Sequence, residues 1–296
     1  MISILIPTYN YNITALVCQI HKQCTNINTP FEIIGLEDGS TKHVNSNKNG
    51  INTLQNTTII HNKTNIGRTN ARHLLSKKAQ YNWLLFLDAD VKLKSTNFIQ
   101  TYISNIQSNQ YDAYYGGFTY TKKKPKDQYV LRWKYGQLAE DVNAQTRNQT
   151  PYKVVISGNF LIKKALFNTL SSKIKIKSYG LDNYFGILLK QHQARVLHLN
   201  NPVIHLGLDP NKKYLNKVKE AVDVLLTLLK TNKIDGHQNK LLDVFLCLKK
   251  YKINYLVYVF FLVGNPLLKF NLLGKYPNIK ILQIYKIAYM CYKDFN

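Results

Sequence analysis

An apolar strand runs directly into two carboxylates in the stretch Asn82-Trp83-Leu84-Leu85-Phe86-Leu87-Asp88-Ala89-Asp90-Val91. A short, continuous apolar run is typical of a central strand in an α/β sheet, and such sheets bind ligands at the carboxyl ends of their strands. Asp88 and Asp90 are expected at such an end. Carboxylate oxygens are hard ligands that suit Mg²⁺ or Mn²⁺, and these ions bridge phosphate oxygens. Two acids after a strand are equally typical of a polar turn.

Three further segments place polar groups beside this strand end. The first predicted strand stops at Pro7-Thr8-Tyr9-Asn10, and the second stops at Glu37-Asp38-Gly39-Ser40. The segment Asn65-Ile66-Gly67-Arg68-Thr69-Asn70-Ala71-Arg72 has a glycine turn and two arginines at the start of a predicted helix. Free N–H groups and guanidinium groups at a helix start both suit a diphosphate. Together the segments indicate a nucleotide site.

In this order the segments resemble the family-2 nucleotide-sugar glycosyltransferases of the GT-A fold, over roughly residues 1 to 210. The family signatures are an opening strand ending in PTYN, an acidic-Asp-Gly-Ser turn, an N-x-G-x-x-x-A-R segment and a DxD. The resemblance implies that Asp88 holds the ribose and Asp90 the metal. Glu37 departs from the commoner Asp-Asp pair. The remaining residues that the resemblance assigns to the nucleotide are Pro7, Thr8, Tyr9, Glu37, Asp38, Asn65 and Arg72.

A second apolar strand is predicted over residues 154–162, interrupted by Ser157-Gly158-Asn159. A glycine inside a strand marks either a bulge or the close approach of a ligand or another backbone. The family resemblance places such a strand beside the sugar and the acceptor. Gly158 and Asn159 are therefore candidates for the donor-sugar and acceptor pocket.

Asp182 is the only Asp or Glu between Asp141 and Asp209. An inverting sugar transfer needs a base that removes the proton of the attacking hydroxyl. Asp182 is the candidate for this role, although the family commonly shows a Glu-Asp pair where this chain has Asp182-Asn183. The alternative is an N-cap for a helix over residues 183–191, for which Asp is a favoured residue.

His205 ends a further short strand, in Asn201-Pro202-Val203-Ile204-His205. In related transferases a histidine here approaches the metal or the diphosphate, and imidazole is a suitable ligand for Mn²⁺. The expected cofactor is therefore Mn²⁺ or Mg²⁺, with Asp90 and His205 as ligands. The alternative is a packed or hydrogen-bonded histidine.

Composition agrees with an enzyme that binds anions. The 296 residues carry 40 Lys and Arg against 16 Asp and Glu, which gives a formal net charge of +24. Such an excess attracts nucleotide diphosphates, anionic lipids or nucleic acid. A nucleic-acid-binding protein would not need the ordered acidic motifs, so no nucleic-acid partner is expected. A non-catalytic sugar-nucleotide or glycan-binding module remains the other alternative.

The expected fold is an α/β GT-A fold: a Rossmann-like, mainly parallel sheet flanked by helices, with a C-terminal helical extension. The predicted segments are a nucleotide-sugar-binding half over 1–118, an acceptor-binding and catalytic half over 119–210, and a helical segment over 211–296. A UDP-sugar is the expected donor, and a saccharide or lipid-linked saccharide the acceptor.

The C-terminal segment carries an apolar, aromatic run over residues 255–263 among many lysines. This run is too short to span a membrane, which takes ~20 apolar residues. The segment therefore either packs internally or rests on an anionic membrane surface. We expect no leader ahead of the first strand, and the four cysteines lack the spacing of a metal or disulfide motif. We expect a cytoplasmic protein, with peripheral attachment to the inner face of the cell membrane as the second possibility.

Overall fold

The computed structural model describes residues 1–174, 178–231, 233–234 and 239–296. The chain divides into two compact units. Unit 1 comprises Met1–Thr119, Asp141–Lys177 and Leu189–Gly207, and unit 2 comprises Tyr120–Glu140, Ser178–Leu188 and Leu208–Asn296. These units do not coincide with the segments predicted from the sequence, because residues 119–210 are shared between them.

Unit 1 is built on a seven-stranded sheet. Its strands are β1 (Ile2–Thr8), β2 (Phe31–Asp38), β3 (Thr57–Asn62), β4 (Trp83–Leu87), β6 (Ala113–Tyr115), β8 (Asn159–Lys163) and β9 (Val196–His198). The order is β3-β2-β1-β4-β8-β6-β9. Strands β3, β2, β1 and β4 are parallel neighbours, β6 is parallel to β9, and β8 is antiparallel to both β4 and β6. The prediction of a mainly parallel α/β sheet is confirmed.

The central strands are apolar because helices cover both faces of the sheet. All five residues of β4 are buried, as are six of the seven in β1. The unit 1 helices are α1 (Thr14–Thr25), α2 (Val44–Ile51), α3 (Arg68–Lys78), α4 (Phe98–Ser108), α6 (Ala144–Asn148) and α7 (Lys164–Ser171). A helix needs only one apolar stripe for this packing, as in α1, where Leu16, Val17, Ile20 and Cys24 are buried.

A second, three-stranded sheet in unit 1 consists of β5 (Val91–Leu93), β7 (Phe118–Thr119) and β10 (Val203–His205). The central strand β10 is antiparallel to β5 and parallel to β7. In this register His205 pairs with Val91, the residue that follows Asp90. The small sheet therefore brings the strand-end histidine to the carboxylates after β4.

Unit 2 is helical in its described part. Its helices are α5 (Val130–Ala139), α9 (Asn211–Lys230), α10 (Lys240–Lys250), α11 (Asn254–Leu273) and α12 (Ile279–Phe295), and α8 (Asp182–Gln191) begins in unit 2 and ends in unit 1. Leu131, Tyr214, Leu215, Val218, Phe261, Leu272, Leu282, Tyr285 and Ala288 form one buried apolar cluster. The prediction of a C-terminal helical region is confirmed.

Two elements differ from their predicted bounds. The strand predicted over 154–162 begins only at Asn159, although the Gly158 carbonyl still accepts a hydrogen bond from the Asp88 amide at the end of β4. The helix predicted over 183–191 begins at Asp182, and a difference of one residue is within the usual spread of helix ends.

The apolar C-terminal segment is longer than the run of residues 255–263. It continues through Gly264, Asn265 and Pro266 as one helix, α11, of 20 residues. In the described part of the chain α11 is the one helix with the length and composition to cross a membrane. The expectation that no segment is long enough to span is therefore wrong on length, since a proline inside a helix need not end it.

Candidate functional site

Asp38, at the end of β2, organises the loop that leads into α3. Its carboxylate accepts hydrogen bonds from the amides of Ile66 and Gly67, both at 2.9 Å. The Asn65 side chain donates to the Asp38 carbonyl at 3.0 Å. Gly39 has φ of +71°, and a Cβ there would lie 2.4 Å from the Asn65 amide nitrogen, so this turn requires glycine. The Asp-Gly turn and the Asn-x-Gly loop therefore form one structure.

The loop after β1 is tied to the same turn. The Asn10 amide donates to the Ser40 hydroxyl at 2.9 Å, and the Asn10 side chain accepts from the amides of Thr41 and Lys42. Pro7, Thr8 and Tyr9 are assigned to the nucleotide by the resemblance, and of these Thr8 is buried, Pro7 is half-buried and Tyr9 is 56% exposed. Tyr9 is the one whose ring is open to a ligand.

Glu37 faces away from this turn, as alternation along a strand requires. It is buried, and one of its carboxylate oxygens accepts from the Asn47 amide group at 2.6 Å. Asn47 also donates to the Tyr11 carbonyl and accepts from the Ile13 amide. Through Asn47, Glu37 holds the segment between β1 and α1. The structure gives it a supporting position, whereas the sequence assigns it to the nucleotide.

Asp88 is held by two arginines from the first turns of α3. Arg72 donates to one carboxylate oxygen at 2.7 Å, and Arg68 donates to the other at 3.1 Å. Burial raises the pKa of the Asp88 carboxyl, but the positive charges of Arg68 and Arg72 outweigh burial and leave the pKa below its usual value. Asp88 is therefore a carboxylate whose charge is already compensated.

The two arginines differ in access. The Arg72 side chain is 8% exposed and also donates to the Ser157 carbonyl at 2.6 Å, whereas Arg68 is 43% exposed and donates to the Ser157 hydroxyl. The sequence assigns Arg72 to the nucleotide, but the structure places it beneath Asp88. Arg68 is the arginine that a diphosphate can reach.

Gly158 approaches Asp88 so closely that no side chain fits. A Cβ there would lie 2.4 Å from Asp88 Oδ2 and 2.4 Å from Phe118 Cζ. The predicted close approach is therefore an approach of backbone to Asp88.

Asn159 occupies a different environment from the one that the sequence suggests. Its side chain is fully buried, accepts from the Tyr102 hydroxyl at 2.7 Å and donates to the carbonyls of Gly117 and Asn201. Because these bonds use the oxygen and both amide hydrogens, the structure leaves no group of Asn159 for a donor sugar. It fixes the Gly116-Gly117 turn instead.

Asp90 and His205 face one another. Asp90 Oδ2 lies 3.6 Å from His205 Nε2, and the histidine ring stacks on Phe118 with centroids 4.9 Å apart. Gly207 packs so closely on Asp90 that a Cβ there would lie 1.6 Å from the carboxylate. Asp90 is 31% exposed, so it is more open than Asp88.

The donor set of Asp90 and His205 fits a divalent ion that takes its other ligands from a substrate. Asp90 Oδ2 and His205 Nε2 are both ligand types that such an ion accepts, and they lie on the same side of the site, 3.6 Å apart. Mg²⁺ commonly uses one or two carboxylates together with substrate phosphates. Within the described residues no cluster of three or more His, Cys, Asp or Glu forms a complete cage.

Tyr11 is a member of this site that the sequence does not single out. Burial, followed by the negative charge of Asp90, raises the pKa of its phenol. Arg68, Ser157 and Phe118 also enter the site without a predicted individual role. The signal for Tyr11 is its position directly after the PTYN segment.

Asp182 lies in unit 2, at the first turn of α8, and is half-exposed. Its carboxylate makes no hydrogen bond or ion pair with another described residue. The preceding Gly180 has φ of +91°, and a Cβ there would lie 2.6 Å from Ala221 Cβ in α9. Lys217, also in α9, lies 5.3 Å from the centroid of the Tyr179 ring. Helix α9 thus fixes the segment that carries Asp182.

The sequence model of glycosyl transferase family 2 matches residues 3–171, which is more than half of the chain. The chain belongs to glycosyl transferase family 2. The predicted family is therefore confirmed, and membership of this family supports a glycosyltransferase. No curated protein sequence matches it.

Solved structures share the fold at low identity. Glucosyl-3-phosphoglycerate synthase from Mycobacterium tuberculosis, in complex with Mn²⁺, UDP and glucosyl-3-phosphoglycerate, is 14% identical with a TM-score of 0.54, and the match covers 77% of this chain and 79% of that one. Mannosyltransferase PcManGT from Pyrobaculum calidifontis, in complex with GDP-Man and Mn²⁺, is 12% identical with a TM-score of 0.52, covering 77% and 64%.

TarS 1-349 from S. aureus, in complex with UDP, is 17% identical with a TM-score of 0.50, covering 75% of this chain and 64% of that one. The match thus spans less than two thirds of the TarS fragment and of the mannosyltransferase. At these identities the likeness establishes the GT-A fold.

Proposed function

We propose that this glycosyltransferase moves a sugar from UDP to a hydroxyl of a saccharide or lipid-linked saccharide, with inversion at the anomeric carbon and with the help of a divalent ion. The observation that carries the proposal is the pair of Asp90 and His205, a partly exposed carboxylate and a largely buried imidazole 3.6 Å apart, beside the arginine-compensated Asp88.

The nucleotide is assigned to the strand ends of unit 1. Tyr9 offers an exposed ring for the base, and the turn held by Asp38 sets the loop that begins α3. Arg68 and the N-terminal end of α3 supply positive charge for the diphosphate. UDP is proposed because it occupies two of the structures with this fold, although a third holds GDP-Man.

Asp90 and His205 are the residues proposed to hold Mn²⁺ or Mg²⁺. When bound, the ion supplies neutralising charge for the departing diphosphate. Arg68 adds to this charge. Asp88, whose own charge is compensated by Arg68 and Arg72, keeps its oxygens as acceptors for a ribose hydroxyl.

Asp182 is proposed as the general base. The acceptor oxygen forms a bond to the anomeric carbon, the bond from that carbon to the diphosphate oxygen breaks, and the hydroxyl proton passes to the Asp182 carboxylate. A base needs an available carboxylate, and that of Asp182 is half-exposed and makes no hydrogen bond or ion pair with another described residue.

The test is a panel of UDP-, GDP- and dTDP-sugars, with nucleotide release measured with and without Mn²⁺ in the presence of candidate acceptors. Asp182→Asn should retain donor affinity and lower turnover by roughly two to four orders of magnitude. A protein that binds UDP-sugars but never turns over would instead be a non-catalytic binding module. Full activity of Asp182→Asn would move the base elsewhere, with Asp141 and Asp209 as the next candidates.

A further inference from the structure

Helix α11 has two apolar faces with different surroundings. One face packs into the core of unit 2, where Phe261 and Leu272 are buried and Val257 and Leu268 contact the same cluster. The other face is open to solvent. It carries an apolar stripe, which consists of Leu256, Phe260, Val263, Leu267 and Phe270, with exposures between 48% and 84%.

The spacing of the apolar stripe is four, three, four and three residues, which places all five side chains on one side of a helix. At a rise of 1.5 Å per residue the stripe is about 21 Å long. A contiguous exposed apolar surface of this kind marks an interaction site with a partner or a membrane.

Tyrosines and lysines stand at both ends of the apolar stripe. At the start of α11, Tyr251 and Tyr255 are exposed, and Lys250 lies 5.8 Å from the centroid of the Tyr251 ring. Beyond the end of α11, Tyr276 is 68% exposed, and Lys124 and Lys275 lie 4.9 and 5.5 Å from its ring centroid. Side chains with an apolar body and a polar tip are typical of the membrane–water interface.

The segment between Asp243 and Asp294 has charge of one sign, and the acid near its Tyr276 end is Asp127, which pairs with Lys124. The sequence contains no Asp or Glu between Asp243 and Asp294, while it contains eight lysines there. Within the described residues, five lysines near the stripe form no ion pair with an acid: Lys250, Lys252, Lys269, Lys275 and Lys280. The partner that complements this surface is therefore apolar at its centre and anionic at its margins.

We propose that the apolar stripe docks on an anionic lipid bilayer, with α11 lying in the plane of the interface. An anionic bilayer offers acyl chains to the stripe and headgroup phosphates to the lysines at both ends. A second copy of the chain would bring the same lysines against one another, and like charges repel. A spanning α11 would have to leave the core that holds Phe261 and Leu272.

The proposal is tested by flotation of the full chain with vesicles of phosphatidylcholine, alone or mixed with phosphatidylglycerol. Lys252→Glu, Lys275→Glu and Lys280→Glu are combined in one variant. The matched control combines Lys48→Glu, Lys78→Glu and Lys94→Glu, three exposed lysines of unit 1, and has the same net charge. The control should bind anionic vesicles like the wild type, and the first variant should bind about a hundredfold more weakly, at about fivefold for each lysine.

The apolar contribution is tested separately, because salt does not screen it. Val263→Ser and Phe270→Ser change side chains that are 78% and 84% exposed, so both variants should fold. Each should weaken binding to anionic vesicles by about tenfold or more. Leu138→Ser, at a position in α5 that is 67% exposed, is the control and should bind normally.

Four results would overturn the proposal. The first is that the wild type does not bind anionic vesicles. The second and third are that the stripe variants bind as well as their control, and that the two lysine variants bind equally well. The fourth is that the protein in cell membranes resists an alkaline carbonate wash, which would indicate a spanning helix. A fifth result would also contradict membrane docking: a wild-type dimer that Phe270→Ser converts to a monomer would assign the stripe to a second copy.

Discussion

The ion pair between Arg72 and Asp88 gives a sharp test of how the site is held together. Both side chains are largely buried, at 8% and 17% exposure, and their atoms lie 2.7 Å apart. Arg72→Met keeps the length and the apolar packing of the side chain but leaves Asp88 with Arg68 alone. Removing one partner of a buried ion pair costs about 3–5 kcal/mol. Because Asp88 retains Arg68, we expect a loss of about 2–3 kcal/mol in the free energy of unfolding at pH 7.

Arg68→Met is the matched control at the same carboxylate. Arg68 is 43% exposed, and ion pairs with that much solvent contribute about 0–1 kcal/mol. Substitution by methionine should therefore lower the free energy of unfolding clearly more at position 72 than at position 68, although the two positions lie in adjacent turns of α3. Urea denaturation of both variants measures the difference.

The dependence on pH follows from the lowered pKa of Asp88 in the wild type. A lowered carboxyl pKa stabilises the fold above the unfolded value of about 3.9, and this stabilisation is lost as pH falls through the folded pKa. In Arg72→Met only Arg68 offsets the effect of burial, so the pKa of Asp88 rises above its value in the unfolded chain. As pH falls, the folded protein then takes up a proton before the unfolded chain does. The difference in the free energy of unfolding between the wild type and Arg72→Met should then shrink as pH falls, by up to about 1.4 kcal/mol per pH unit. Equal losses for the two arginine variants, or a deficit at position 72 that does not change with pH, would refute this account.

Three further predictions concern the metal pair, the Asp182 segment and a buried histidine. Asp90→Asn should abolish Mn²⁺-dependent UDP binding without changing the melting temperature, and unchanged binding in calorimetry would remove Asp90 from the metal site. Gly180→Ala should lower kcat with little change in the donor KM, because φ is +91° and the added Cβ would lie 2.6 Å from Ala221 Cβ. Its control is Gly264→Ala, where the nearest contact is a Phe260 side-chain atom at 3.3 Å, and equal kcat values for the two variants would contradict the positioning role. Burial, followed by the nearby Arg147, lowers the pKa of His198 to about 4, so the unfolded chain binds a proton first and stability should fall as pH drops from about 6.5 to about 4. His198→Gln should flatten this part of the stability profile, measured by urea denaturation at several pH values, and an unchanged slope would assign it to other groups.

The parts of this protein that a local pattern specifies were predictable from the sequence. Continuous apolar runs such as residues 83–87 form central strands because helices bury both faces of the sheet, and strand ends in a parallel sheet meet at one edge. Polar residues that directly follow such strands therefore had to come together. For this reason the sequence alone places Asp38, Asp88 and Asp90 at one edge of the sheet, and the order of the motifs is enough to indicate the family.

The contacts of each of these side chains depend on how distant segments pack together, and residue pattern does not specify them. Arg68 and Arg72 are one helical turn apart and chemically identical, yet packing buries one beneath Asp88 and leaves the other open. Asn159 has an amide side chain of the kind that binds ligands. That amide instead forms hydrogen bonds with Tyr102, Gly117 and Asn201, which are distant in sequence. The register of β10 against β5 brings His205 to Asp90, and residue pattern does not encode that pairing. Secondary structure depends mainly on neighbouring residues, whereas burial and hydrogen-bond partners depend on contacts between segments far apart in the chain. The sequence therefore indicates where the site lies, and the fold determines which atoms in it remain available.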